Sequence, residues 1–379
     1  MQKNKKIFVA LVFLLLSFEL ANATTIFARQ YNTNCNTCHI GVPPTLNSTG
    51  EDFLRNGMRF SQNDKTTLQR FLSDEDKVLP IGFFLGVVNK NATVTAQTPK
   101  GKMTQENEAT NPTLTLISAG SINENFSAFV GARFAYAQPN PNIEQKELRR
   151  LREKVYIQYN QGPTHVTRAG ILLPYPDASE NSGLSDNPDL YISPVDRANL
   201  KPLYGAEYSY MTKNGFTLLV AAGVQGRANN ERSVMGEINY DNDALNGSII
   251  INNFTATKSE SQMQNYTQSD IILGERLNIM TPLEVNLKYF YLNLTGVYEK
   301  NDKVLDGDYY GFESTLTVPI FETANIRFIY TDDNKDEQGY ALKYSHIFYE
   351  NFFFNANYVK IQTQTKEFDS LAFGLSLVY

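Results

Sequence analysis

Beyond Pro80 the chain alternates apolar and polar positions with a period of two. In the last segment Leu371, Phe373, Leu375, Leu377 and Tyr379 share one face, and Ala372, Gly374, Ser376 and Val378 share the other. Phe126, Ala128, Val130, Ala132, Phe134 and Tyr136 alternate in the same way with Ser127, Gly131 and Arg133. Leu283, Val285, Leu287, Tyr289 and Tyr291 alternate with Glu284, Asn286 and Lys288. That run then loses phase, with Phe290 and Leu292 on the polar side and Asn293 on the apolar one. Segments of about ten residues with this period and aromatic ends predict strands that show lipid one face and a polar lumen the other. No segment after Pro80 is apolar over the roughly 20 residues a transmembrane helix needs. The pattern therefore predicts a mainly β fold, a transmembrane antiparallel β-barrel of about sixteen strands, after a short α-helical N-terminal segment.

The spacing of these segments adds a direction. Candidate strands begin near residue 81 and end with one near 367, including one near 264 and one near 282. Short turns fall at 122–125, 160–163, 212–215 and 349–351. Long polar connections fall at 90–111, 137–148, 174–201, 295–306 and 331–337. Short periplasmic turns and longer outside loops are the asymmetry of outer-membrane barrels, and an even strand count leaves both chain ends in the periplasm. The sequence holds 24 Phe and 22 Tyr with no Trp, and it closes on Tyr379 within an alternating strand. A soluble β-sandwich or propeller would not account for the terminal aromatic, the loop asymmetry and the aromatic content together.

Residues 1–23 read as a secretory signal. Lys3, Lys5 and Lys6 precede the apolar run from Ile7 to Leu16, and Ala21-Asn22-Ala23 offers a small-residue cleavage site. Two short helices are predicted after it. Ser48 and Glu51 have the spacing of a capping box, Phe53 and Leu54 supply an apolar side, and Gly57 suits a left-handed close. Asp64 is placed to cap a second helix carrying Leu68, Phe71 and Leu72.

Within this segment Cys35-Asn36-Thr37-Cys38-His39 has the spacing of a c-type haem attachment site. Two thiols add to the porphyrin and the adjacent imidazole ligates iron. These are the only 2 cysteines of the chain, so a disulfide framework is excluded and a Cys-rich zinc site lacks its second pair. His39 is the expected proximal ligand, and Met58 is the candidate sixth ligand. His165 and His346, the remaining two of 3 histidines, lie beside short turns and read as interfacial side chains. One strand carries Arg150, Arg152, Lys154, Tyr156 and Gln158 on one face, taken as lumenal together with Arg133 and Arg168. This basic wall could pair with haem propionates or with Glu51 and Asp52 if the segment plugs the lumen, and it could equally line an anion-preferring pore. The acidic stretch 332–337 suits hard cations or a solvated loop. A net charge of −6 with no basic patch gives no nucleic-acid site.

Phe27-Ala28-Arg29-Gln30 ahead of the haem motif, then Pro44, Leu46, Gly50, Phe53 and Gly57, resembles the monohaem fused cytochrome–porins of the outer membrane, over residues 26–58. The resemblance implies a short cytochrome fused to a barrel of about sixteen strands. It also implies electrons taken from an extracellular donor such as Fe(II) and passed to periplasmic cytochromes. Met58 departs from the aromatic that often follows the glycine in such sequences.

The expected organisation is a signal peptide over 1–23, a c-type haem segment over 24–77 and a porin-like barrel over 78–379. The expected cofactor is one covalent haem c on Cys35, Cys38 and His39. The expected surroundings are outer-membrane lipid in a Gram-negative cell, with a periplasmic cytochrome as electron partner. A diffusion porin with an accessory haem segment is the alternative.

Overall fold

The computed structural model describes residues 26–34, 37–39, 46–73, 79–98, 101–137, 147–162, 164–172, 203–212, 214–225, 231–241, 245–256, 275–287, 290–301, 309–321, 323–334, 338–348, 352–364 and 366–378. Three short helices come first: α1 (Ile26–Tyr31), α2 (Ser48–Arg55) and α3 (Thr67–Leu72). The strands follow as β1 (Ile81–Thr98), β2 (Gly101–Ser121), β3 (Phe126–Ala137), β4 (Glu147–Gln161), β5 (His165–Leu172), β6 (Leu203–Met211), β7 (Phe216–Gln225) and β8 (Glu231–Asp241). The second half holds β9 (Leu245–Ala256), β10 (Glu275–Leu287), β11 (Phe290–Asn301), β12 (Tyr309–Phe321), β13 (Ala324–Asp333), β14 (Gln338–Phe348), β15 (Phe352–Gln362) and β16 (Lys366–Val378). Each strand pairs antiparallel with its neighbours in sequence, and β16 closes on β1. Closure leaves no unpaired edge, which a lipid phase requires.

The alternation decides which way each side chain points. On β16 the apolar row Leu371, Phe373 and Leu375 is exposed, whereas Ala372 and Gly374 between them are buried. The exposed row continues around the wall through Tyr358, Leu342, Phe328, Ile249, Ile238, Val220 and Ile157. That apolar outer face is the lipid side. No described helix is long and apolar enough to cross a membrane, and strands do the crossing. Near the short turns the outer face is aromatic. His346 stacks on Phe348 at 3.9 Å, and His165 lies 4.9 Å from Tyr210, so both histidines sit among aromatic rings beside the short turns.

Three expectations about strand and loop bounds need correction. The stretch 90–111 is a β-ribbon, not a loop. Thr93, Val94 and Thr95 favour extended backbone, and the β1–β2 register runs unbroken from Ile81↔Ser118 to Thr98↔Gly101. The single strand expected from 282 is a hairpin, with Leu287 paired to Phe290. The loss of phase at Phe290 was the turn itself, because a tight turn resets which residues face out. The expected 295–306 connection is correspondingly shorter, since β11 runs to Asn301. The strand expected near 264 lies outside the described residues, as do the signal peptide and Tyr379.

Strand β4 departs from strict alternation. Lys154 pairs with Gly131 and Arg152 with Arg133, but the register shifts there and Arg150 pairs with Phe134. A bulge of one residue exchanges the two faces.

The wall strands all connect on one side through 122–125, 162–164, 212–215, 242–244, 288–289, 322–323 and 349–351. The N-terminal helices pack inside this short-turn mouth, against side chains of β2 and β4.

Candidate functional site at the barrel mouth

The helical segment builds its own small aromatic core. Phe27, Tyr31, Phe53 and Phe60 meet edge-on or tilted, with ring centroids 4.9 to 5.5 Å apart. Each such pair contributes about 0.5–1.5 kcal/mol beyond its buried area. Arg70 lies 4.6 Å over the Tyr31 ring. The Tyr31 hydroxyl donates to the Met58 carbonyl at 3.1 Å. Burial pushes that hydroxyl up to about 12, against the lowering pull of Arg70.

Helix α2 starts and stops by side-chain logic that the sequence showed only in part. Its N-cap is Asn47, whose Oδ1 accepts from the Gly50 N–H at 2.9 Å. Ser48 is thus the first helical residue rather than the cap, and Glu51 instead pairs with Arg55 at 3.1 Å. The close comes as expected at Gly57, with φ +70°. The Met58 N–H reaches the Phe53 carbonyl and the Gly57 N–H reaches that of Leu54, which is a Schellman close. Met58 is the residue whose side chain such a motif packs back on the helix, and it is wholly buried in one cluster with Phe53. Helix α3 is capped by Thr66 and Gln69 rather than by Asp64, which accepts from the Ser61 N–H.

The barrel holds this segment through lumen-facing side chains of β2 and β4. Gln158 Nε2 donates to the Leu54 carbonyl at 2.9 Å, and Asn160 Nδ2 donates to that of Arg55. Both are last-turn carbonyls; that of Leu54 also takes the Gly57 N–H, and the barrel supplies the donors that complete the cap. Gln158 is itself fixed, because its Oε1 accepts from Arg168 Nε at 2.7 Å and Arg168 pairs with Glu207 at 2.8 Å. On β2, the Ser121 hydroxyl accepts from the Thr67 N–H at 2.9 Å, and the Ser121 N–H donates to the Thr67 hydroxyl at 3.1 Å. Arg29 donates to the Ile81 carbonyl where β1 begins. Apolar contacts continue inward. Phe53 and Met58 share one cluster with Ala119, Tyr156, Leu172, Leu203, Ala221 and Met235, all on the lumenal side of their strands. The lumenal face is therefore apolar along part of one wall, not polar throughout.

The expected site residues fall in three places. Cys35 lies outside the described residues. Cys38 and His39 are half-buried in a short stretch ahead of α2, where His39 bridges to Leu46 and the Asn47 N–H donates to the Cys38 carbonyl at 3.0 Å. Helix α2 backs directly on this stretch: a Cβ on Gly50 would lie 2.2 Å from the Cys38 carbonyl oxygen. A thiol and an adjacent imidazole in a constrained turn are the donors a c-type haem requires. Lys154 lies over Phe129 and Tyr156, and Arg168 serves Gln158 and Glu207. Period-two alternation placed Gln158 in the lumen, but nothing in it showed that an amide there would cap a helix more than a hundred positions away.

No protein-family model matches the chain. "Outer membrane protein YfaZ" of Escherichia coli is 30% identical over 116 residues, which is 30% of this chain and 52% of that protein. The chain thus spans about half the length of the curated relative it matches. Among solved structures, Salmonella typhi OmpF in complex with daunomycin is similar at TM-score 0.52 and 9% identity, covering 79% of this chain and 97% of that one. A loop-deleted OmpT of Vibrio cholerae is similar at TM-score 0.50 and 9% identity, covering 79% and 99%. These likenesses agree with the closed sheet and its apolar belt: the chain is a porin-like barrel of the outer membrane.

Proposed function

We propose that this protein is an outer-membrane diffusion pore whose periplasmic mouth is narrowed by a resident, haem-bearing segment. The observation that carries this reading is the seating of the segment on the lumenal side chains Gln158, Asn160 and Ser121. A porin-like wall supplies the pathway and the segment restricts it. Planar-bilayer conductance tests the reading. Purified protein is expected to conduct ions in discrete steps, and a bilayer that stays silent at every protein concentration would overturn it.

The Cys-x-x-Cys-His motif supports a second reading, electron transfer across the outer membrane. Cys35 and Cys38 would hold haem c, His39 would ligate its iron, and Met58 is the proposed sixth ligand. When bound, the haem supplies a one-electron iron couple. In this reading an extracellular donor, Fe(II) foremost, loses one electron and an oxidised periplasmic cytochrome gains it. The segment's fixed seat suits that task, because it holds the motif at a constant place in the mouth. Adding Fe(II) to oxidised protein should give the absorption bands of reduced haem, and an unchanged spectrum across pH would remove this reading. A Met58→Leu variant should lose the near-infrared thioether–iron band, whereas its persistence would leave Met58 with its packing role alone.

A further inference from the structure

Arg59 is a buried cation whose partners are both carbonyls. It is 3% exposed. Its Nη1 donates to the Gln62 carbonyl at 2.9 Å, and its Nη2 donates to the Glu124 main-chain carbonyl at 2.5 Å. Its Nε is buried with no acceptor. Guanidinium carries five N–H donors and a charge that no protein environment removes. Burying such a charge without an anion is costly, and the usual remedy is a carboxylate or phosphate in the fork. The Glu124 carboxylate does not fill this role, since Arg59 takes that residue's backbone oxygen instead.

A cavity of about 230 Å³ opens beside this group. It lies between the turn after α2 and the short turns 122–125 and 162–164, so it faces the periplasmic mouth. Besides Arg59 it is lined by Asn56, Gln62, Asn63, Glu124 and Asn125. Side-chain amides both donate and accept, so they match a solute that does the same. Arg59 is the one cation of the lining and Glu124 the one carboxylate, so a solute anion is matched at the buried Arg59 and nowhere else in the cavity. None of this depends on whether the protein conducts or binds haem.

We propose that this cavity binds a small carboxylate-bearing solute with amide or hydroxyl groups, its carboxylate on the Arg59 guanidinium. Binding would give the buried guanidinium the anion it lacks, beside its two carbonyl bonds, and would add a ligand across the joint between segment and barrel.

The full chain in detergent micelles can be titrated with N-acetylglycine, followed by ligand-detected saturation-transfer NMR. N-acetylglycinamide serves as the uncharged control. Saturable binding of the acid but not of the amide is expected. Arg59→Gln should weaken it by about 10- to 100-fold, the loss of a charge-assisted hydrogen bond. Should Arg59→Gln fail to give a folded barrel, Asn63→Leu narrows the cavity from its exposed rim and leaves both Arg59 bonds in place. It is expected to weaken binding too. No saturable binding, equal binding of acid and amide, or tighter binding of inorganic phosphate would each overturn the proposal. So would unchanged affinity in whichever variant folds.

Discussion

Two walls of this barrel obey the same alternation and meet different things. On the β2–β7 wall the lumenal residues Ser121, Gln158 and Arg168 are committed to holding the helical segment. On the β13–β16 wall the inward residues pack among themselves. Ile329, Ala341, Val359, Ile361 and Phe368 form one cluster with Ala92, and Ile347 and Phe353 form another with Phe84 near the short turns. The difference shows that alternation sets direction alone. What a lumenal side chain does depends on which wall the segment rests against.

The backbone differs between the walls as well, and this gives the largest expected effect. Gly170, Gly205 and Gly223 are cross-strand neighbours on β5, β6 and β7. A Cβ on Gly205 would lie 2.1 Å from the Ala222 carbonyl oxygen, a backbone atom of the paired strand. On the opposite wall a Cβ on Gly374 would meet nothing nearer than 3.5 Å. Gly205→Val should therefore block assembly or cost several kcal/mol, on the order of the 4–5 kcal/mol reserved for severe mechanisms. Gly374→Ala should leave folding yield and thermal midpoint close to wild type. Circular dichroism of the refolded proteins compares them, and equal behaviour of the two would deny that the docking wall is the tighter one.

The next effect concerns the seat itself. Gln158→Leu with Asn160→Leu removes two donors and leaves the Leu54 and Arg55 carbonyls without the barrel's caps. The cost is about 1–3 kcal/mol for the Arg55 carbonyl left unsatisfied, while the Leu54 carbonyl keeps the Gly57 N–H. Faster proteolysis of the segment and a larger single-channel conductance should follow, with the barrel intact. Asn355→Leu with Asn357→Leu on the far wall serves as the matched control and should change neither. If the two double variants behave alike, the lumenal amides of β4 have no special hold on the helix.

How much of this was legible beforehand follows the same division. The outward rows could be read residue by residue, because a lipid face demands apolar side chains at every second position and nothing else competes. Phe126, Leu371 and Phe373 illustrate it. The one-residue register shift on β4 was not legible, since it leaves no mark in the sequence. The hairpin at 288–289 did leave one, the break in phase before Phe290. The left-handed close at Gly57 was legible because few residues tolerate that backbone. The cap at Asn47 was missed in favour of Ser48, because Asn and Ser suit the position almost equally and only geometry separates them. The partners of Gln158, Asn160 and Arg59 were hidden for a different reason. They are long-range contacts between the segment and the barrel, and no local period reports on those.

The smallest effect lies in the hydroxyl of Tyr31. Burial raises its folded pKa from 10.0 to about 12. The unfolded segment loses this proton first, so the folded form binds more protons between those two values. The contribution is fully present below pH 10, falls as pH rises, and is gone above the folded value. Release of the segment from the barrel in alkali should therefore steepen across that window. Tyr31→Phe abolishes this titration and also removes the bond to the Met58 carbonyl, a net loss of about 0.5–1.5 kcal/mol at neutral pH. The variant should show weaker seating at pH 7 and a shallower alkaline loss than wild type, read by protection of the segment from protease. If Tyr31→Phe retains the wild-type slope above pH 10, the alkaline sensitivity belongs to the wall and not to the segment's aromatic core.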